Sequence, residues 1–123
     1  MTDLQPKVIE AAMKIILDAG DARQENLLAI ESLVSFDIEQ AEAYLEKAKK
    51  KITSAHKAQT DQIQEETRGK KSEYSLLFAH AQDTMMTINS EILLIDSLLK
   101  VFDSYSRKIQ SLENKIEELS RND

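Results

Sequence analysis

An all-α fold is what this sequence predicts, and three observations carry that prediction. Among 123 residues there are 2 glycines, 1 proline and no tryptophan, too few turn formers for a β architecture. The strong helix formers Ala, Leu, Glu, Lys and Gln dominate. Apolar residues recur three and four apart over three long stretches, the period of an amphipathic helix and not the alternation of a strand. Helices of ~30 residues, each ~45 Å long, joined by two short connections make an antiparallel three-helix bundle.

The first helix is expected over about Gln5 to Val34. Pro6 falls in its first turn, where a missing N–H costs nothing. Val8, Ala12, Ile15, Ile16, Ala19, Leu27, Ile30, Leu33 and Val34 make its inner face. Gly20 interrupts it at a cost of about 1 kcal/mol against Ala, which points to a close helix contact or a local bend. The second helix starts at the N-cap Asp37, with Gln40 placed to complete a capping box. Its inner face reads Ile38, Ala41, Leu45, Ala48, Ile52, Ala55, Gln59 and Ile63. It ends near Arg68-Gly69, where Gly suits a left-handed C′ position, and Lys70-Lys71 continue the connection.

The third helix is expected from Ser72 or Glu73. Between 76 and 102 it carries Leu76, Leu77, Phe78, Met85, Met86, Ile88, Ile92, Leu93, Leu94, Ile95, Leu98, Leu99, Val101 and Phe102, which cover nearly its whole circumference. A helix that is apolar all round is buried on all sides. Two partner helices in one small chain cannot do that, so the pattern predicts a homo-oligomer packed about its third helices. Beyond Ser106 the spacing continues as Ile109, Leu112, Ile116 and Leu119. Residues 1–106 therefore read as one domain, and 107–123 as a tail that either prolongs the third helix or frays, since about three turns with few anchors are marginal alone.

Net charge is −6, and Lys and Arg are scattered apart from Lys49-Lys50-Lys51, a solvated helix face. That balance argues against nucleic acid and against an anionic membrane. No cysteine is present, which removes disulfides, thiolate metal sites and cysteine nucleophiles. No signal-like opening or membrane-length apolar run is found, so a cytoplasmic protein is expected. There is no glycine-rich phosphate loop, no Ser/His/Asp set and no inward Glu-x-x-His pair, and Met85-Met86 read as core filler.

Two histidines remain, His56 and His80. His56 borders the inner face of the second helix and reads as structural. His80 lies between Ala79 and Ala81, with Asp83 and Thr84 on the same helix face three and four residues on. Small flanking residues leave an imidazole uncrowded, as a nucleophilic nitrogen requires when it must reach a phosphorus on another protein. The other reading is a partly buried histidine paired with Asp83. Asp83 in turn falls on a stripe of Leu76, Ala79, Met86, Ser90, Leu93 and Ser97. A carboxylate there is costly to bury unless paired or metal-bound. Symmetry-related copies would bring several Asp83 carboxylates to one axis, an all-oxygen site for Mg2+ or a similar hard cation; an ordinary Asp–His contact is the alternative.

At these residues the chain resembles a known family. Ala79-His80-Ala81-Gln82-Asp83-Thr84-Met85-Met86-Thr87 is similar to the active-site segment of the lactose/cellobiose-specific enzyme IIA proteins of the phosphoenolpyruvate-dependent sugar phosphotransferase system, which typically reads His-Ala-Gln-Asp-His-Leu-Met-Thr. Ala19-Gly20-Asp21-Ala22-Arg23 and Ala55-His56-Lys57-Ala58-Gln59-Thr60 match two further blocks, giving one per helix over roughly residues 8 to 105. The resemblance implies a homotrimer of three-helix subunits. It implies that His80 accepts a phosphoryl group from the phosphohistidine of HPr and passes it to a cysteine of the cognate enzyme IIB, for uptake of a lactose/cellobiose-type disaccharide. It assigns Asp83 to a metal, Mg2+ or a similar divalent cation, on the trimer axis, and places Gln82 close to the active histidine. One departure stands out: the family usually has a second histidine at position 84, and here it is Thr84. Two alternatives share the fold, a non-catalytic helical interaction module and a phosphorylation-dependent regulatory protein.

Overall fold

Three helices run up, down and up: α1 (Leu4–Val34), α2 (Ile38–Thr67) and α3 (Leu76–Arg121). The computed structural model describes residues 4–69 and 74–122, with side chains from residue 6 onward, and among these there is no strand. The expected Lys70-Lys71 connection lies outside the described residues; α3 begins at Leu76, later than the expected Ser72 or Glu73, because Ser75 is extended and caps it. No helix among those described is long and apolar enough to cross a membrane.

Each helix buries one seam with alternating steps of three and four, the geometry that keeps a seam facing its partners. In α1 the seam is Val8, Ala12, Ile15, Ala19, Ala22, Asn26, Ala29 and Leu33; in α2 it is Ala41, Leu45, Ala48, Ile52, Ala55 and Gln62. In α3 it is Phe78, Ala81, Met85, Ile88, Ile92, Ile95 and Leu99. Alanine at so many seam positions lets the helix axes approach closely, and the three motif blocks contribute Ala19, Ala22, Ala55 and Ala81 to that layer, all with no exposed surface. Ion pairs cross-link the helices at the same height: Lys51 Nζ to Asp21 (3.4 Å), Lys49 Nζ to Asp96 (3.4 Å) and a bidentate Arg23–Glu91 pair (3.1 and 3.0 Å).

Helix ends follow local chemistry. The Phe36 N–H donates to the Leu33 carbonyl (3.0 Å) and the Asp37 N–H to the Ser32 carbonyl (2.9 Å), a Schellman closure of α1. The C′ residue is Phe36, at φ 57°, a left-handed conformation that a non-glycine adopts at a cost of roughly 1 kcal/mol. Its ring lies 5.4 Å from that of Phe102, which offsets part of the strain and pins the hairpin to α3. Asp37 then caps α2, its side chain accepting from the Gln40 N–H at 3.1 Å. The expected capping box is only half made, because the Asp37 N–H is already taken by Ser32. At the far end Gly69 adopts φ 88°, in the expected left-handed position.

Three expectations are corrected. Leu27, Ile30 and Val34 do not face inward: they are 57%, 40% and 77% exposed, because the seven-residue register set by Val8, Ile15 and Ala19 passes through Ala22, Asn26 and Ala29 instead. At the end of α2 the register likewise selects Gln62 and leaves Ile63 exposed. Gly20 makes no close contact, since a Cβ there would meet nothing within 4 Å. As the all-round apolar pattern implied, one chain by itself does not bury α3 on all sides. Leu76, Met86, Leu93, Leu94 and Val101 stand exposed on its outer surface. The tail does not fray; it prolongs α3 without a break to Arg121.

Candidate functional site

The start of α3 positions His80. Ser75 is the N-cap, its hydroxyl accepting from the Phe78 N–H at 3.1 Å, and Phe78 is buried as the first anchor of the seam. Ala81, fully buried, fixes the rotation of the helix so that its neighbour His80 points outward. His80 is exposed, and among the described residues no side chain pairs with its imidazole. The reading as a buried histidine partnered by Asp83 is therefore not what the fold makes. Asp83 is itself exposed, with no hydrogen bond or ion pair among the described residues. Gln82 is half-buried beside them.

Thr84 has a different use. Its Oγ1 donates to the His80 carbonyl at 2.8 Å, so the hydroxyl is committed to the helix backbone one turn back. Ser90 and Ser97 repeat this, donating to Met86 and Leu93 carbonyls at 3.1 and 3.2 Å. Hydroxyls turned onto the backbone make the outer face of α3 less polar than its sequence suggests. Asp83 is left as the ionised group on the stripe between Leu76 and Ser97. The described residues of one chain hold no group of three His, Cys, Asp or Glu able to take a metal. A cation at Asp83 would thus need carboxylates from several copies, and an oxygen donor of this kind suits a hard divalent ion. His56 is half-buried in α2.

Two features escaped the sequence reading. A groove of about 200 Å3 runs between α1 and α3, lined by Leu27, Ile30, Leu94, Ile95 and Leu98 and closed at one end by the Arg23–Glu91 pair. Glu91 also holds the Arg23 guanidinium more firmly protonated than usual, first through these hydrogen bonds and then by its charge. Asn26, 2% exposed, lies at this groove with neither amide atom hydrogen-bonded. A lone asparagine in an otherwise alanine-rich seam is the signal that could have found it.

The comparisons with known proteins agree on one family. The model described as "PTS system, Lactose/Cellobiose specific IIA subunit" matches residues 10–103. The lactose-specific EIIA component of Lacticaseibacillus casei is 34% identical over 101 residues, covering 82% of this chain and 87% of that one. The lichenan-specific IIA component of Bacillus subtilis is 41% identical over 73 residues, covering 59% and 66%. Among solved structures, the cellobiose-specific enzyme IIA from Bacillus anthracis superposes with a TM-score of 0.77 at 30% identity, covering 88% of this chain and 95% of that one. PtcA from Streptococcus mutans gives 0.76 at 30% identity, covering 84% and 99%. The family match stops short of the last turns of α3.

Proposed function

Since the chain belongs to the lactose/cellobiose-specific IIA family of the sugar phosphotransferase system, we propose that His80 is its phosphoryl carrier, loaded by phospho-HPr and discharged onto a cysteine of the cognate enzyme IIB. The disaccharide then phosphorylated is of the lactose/cellobiose type. The observation that carries this reading is the exposed imidazole of His80, free of side-chain partners among the described residues, on a helix held rigid by Phe78 and Ala81.

The chemistry follows from that exposure. A ring nitrogen lone pair of neutral His80 attacks the phosphorus in line as the nitrogen–phosphorus bond of phospho-HPr breaks. The electron pair returns to the donor imidazole. In the second step a cysteine thiolate attacks, and the pair returns to His80. Both steps need a nitrogen that two proteins reach in turn, and little else beyond positioning and charge. His80 sits in the second turn of α3, and helical side chains tilt towards the N-terminus, so a phosphoryl group there lies near the positive end of the helix dipole. Gln82 is assigned to the same site by the family resemblance alone: two residues on from His80, it lies about 200° round the helix from the imidazole.

Assembly belongs to the same proposal. The outer faces of α1 and α3 leave the large apolar side chains of Met13, Leu17, Leu27, Val34, Leu93 and Leu94 exposed in the single chain, the kind of surface that marks a protein interface. A homotrimer about α3 covers it and sets three Asp83 carboxylates around one axis, where Mg2+ or a similar cation, when bound, neutralises their mutual repulsion. Phosphorylation with phosphoenolpyruvate, enzyme I and HPr tests the carrier role. Acid-labile phosphate is expected on the wild type and absent from His80→Ala; label surviving in that variant, or none on either, overturns the assignment.

A further inference from the structure

Past the body of the bundle, α3 continues alone. Every residue from Arg107 to Asn122 is exposed, yet the segment is helical to Arg121. A few unsupported turns do not hold a helix in water, so this stretch needs a partner. We propose that the partner is the same segment of neighbouring copies of this chain, joined in a parallel, in-register coiled coil.

The pattern of side chains selects that arrangement. Leu98, Tyr105, Leu112 and Leu119 recur every seven residues, with Ile109 and Ile116 between the later members. Leu112, Ile116 and Leu119 are 59%, 66% and 68% exposed in the single chain. With Ile109 and Ile116 at a and Leu112 and Leu119 at d, this is a coiled-coil seam, and Gln110, Asn114, Glu117 and Glu118 fall outside it. Lys108 and Lys115 then occupy g and Glu113 occupies e. Parallel pairing sets g of one strand against e of the next heptad in its neighbour, bringing Lys108 to Glu113. Antiparallel pairing would set lysine against lysine, so the charges specify the orientation as well as the partner.

The segment is also continuous with the outer face of the body. At 3.6 residues per turn, Val101 and Leu119 lie about five and about ten whole turns beyond Asp83, on the same side of α3. Copies arranged cyclically around that side present their overhangs parallel and at one height. The number of strands rests on the proposed trimer. Ile at a with Leu at d is most at home in two strands, so a third would be held in place by the body below.

The chain has no cysteine, which makes a direct test available. In Leu119→Cys a disulfide can only join position 119 of two copies, and the d position brings those Cβ atoms together only in a parallel, in-register pair. Mild oxidation of the full-length variant is expected to give a covalent dimer on a non-reducing denaturing gel, up to two-thirds of the chains if three strands meet. Asn114→Cys, on the outside, is expected to give at least fivefold less. Lys108→Glu is expected to lower the Leu119→Cys yield severalfold, and adding Glu113→Lys to restore it. Equal yields from positions 119 and 114, or no rescue by the charge swap, overturn the proposal. Phosphorylation of the same Leu119→Cys protein by HPr separates the readings: phosphate without the disulfide sinks the coil and leaves the carrier, and the disulfide without phosphate does the reverse.

Discussion

The inner and outer faces of the bundle are built from similar residues and meet different fates. Inside, Met85, Ile88, Ile92 and Ile95 of α3 pack against the alanine-rich seams of α1 and α2. Outside, Leu93, Leu94 and Val101 on the same helix, with Met13, Leu27 and Val34 on α1, are bare in the single chain. The difference lies in what interrupts the apolar residues. The inner seam is punctuated by alanine, which sets distance; the outer face of α3 is punctuated by Asp83, Ser90 and Ser97, which bring charge and bent-back hydroxyls. One face is a core completed by the chain itself, and the other is the exposed surface on which the proposed assembly rests.

That contrast breaks most visibly at Ile88, 1% exposed. Ile88→Ala is expected to lower unfolding stability by about 2–5 kcal/mol in urea titration, with a loss that does not depend on protein concentration. A loss that shrinks on dilution would place Ile88 in an inter-chain contact and undo the division into two faces.

Gly20 sharpens the outer side. It lies in line with Met13, Leu27 and Val34 at seven-residue steps, and a Cβ there meets no atom of its own chain. Judged by helix propensity alone, Gly20→Ala is expected to raise stability by about 1 kcal/mol, measured by urea midpoint at low concentration. A fall in oligomer mass at higher concentration would show that a neighbouring copy passes close over this glycine.

The smallest effect is expected at the rim between the faces. Arg23 and Glu91 are well aligned, but about half and a third of their side-chain surfaces remain in water. A double-mutant cycle is expected to give a coupling below about 1 kcal/mol, diminishing as salt is raised. A larger, salt-resistant coupling would mean that the groove beside them is covered in the assembled protein.

Much of this was legible in the residues. The scarcity of Gly and Pro, the Asp37 cap, the Gly69 stop and the α2 seam from Ala41 to Ala55 all act locally or with a fixed period, and the fold kept them. The second half of α1 was misread for a physical reason. Leu27, Ile30 and Val34 are larger and more apolar than Ala22, Asn26 and Ala29, so size pointed one way and register the other. Register won, because the helix is rigid and its first turns had already fixed which side faces α2 and α3. The candidate site divides along the same line: the sequence singled out His80 and Asp83, but it left open whether they paired with each other.

The sequence by itself determined that the chain is helical, where α1 and α2 begin and end to within a few residues, and which histidine merits attention, because caps, propensity and periodicity are properties of neighbouring residues. The tertiary structure alone decided that His80 and Asp83 face outward, and that Ala22, Asn26 and Ala29 rather than Leu27, Ile30 and Val34 line the inside of α1. Those outcomes depend on how far apart three helices can settle, a distance set by side chains that are remote in the chain and meet only once it has folded.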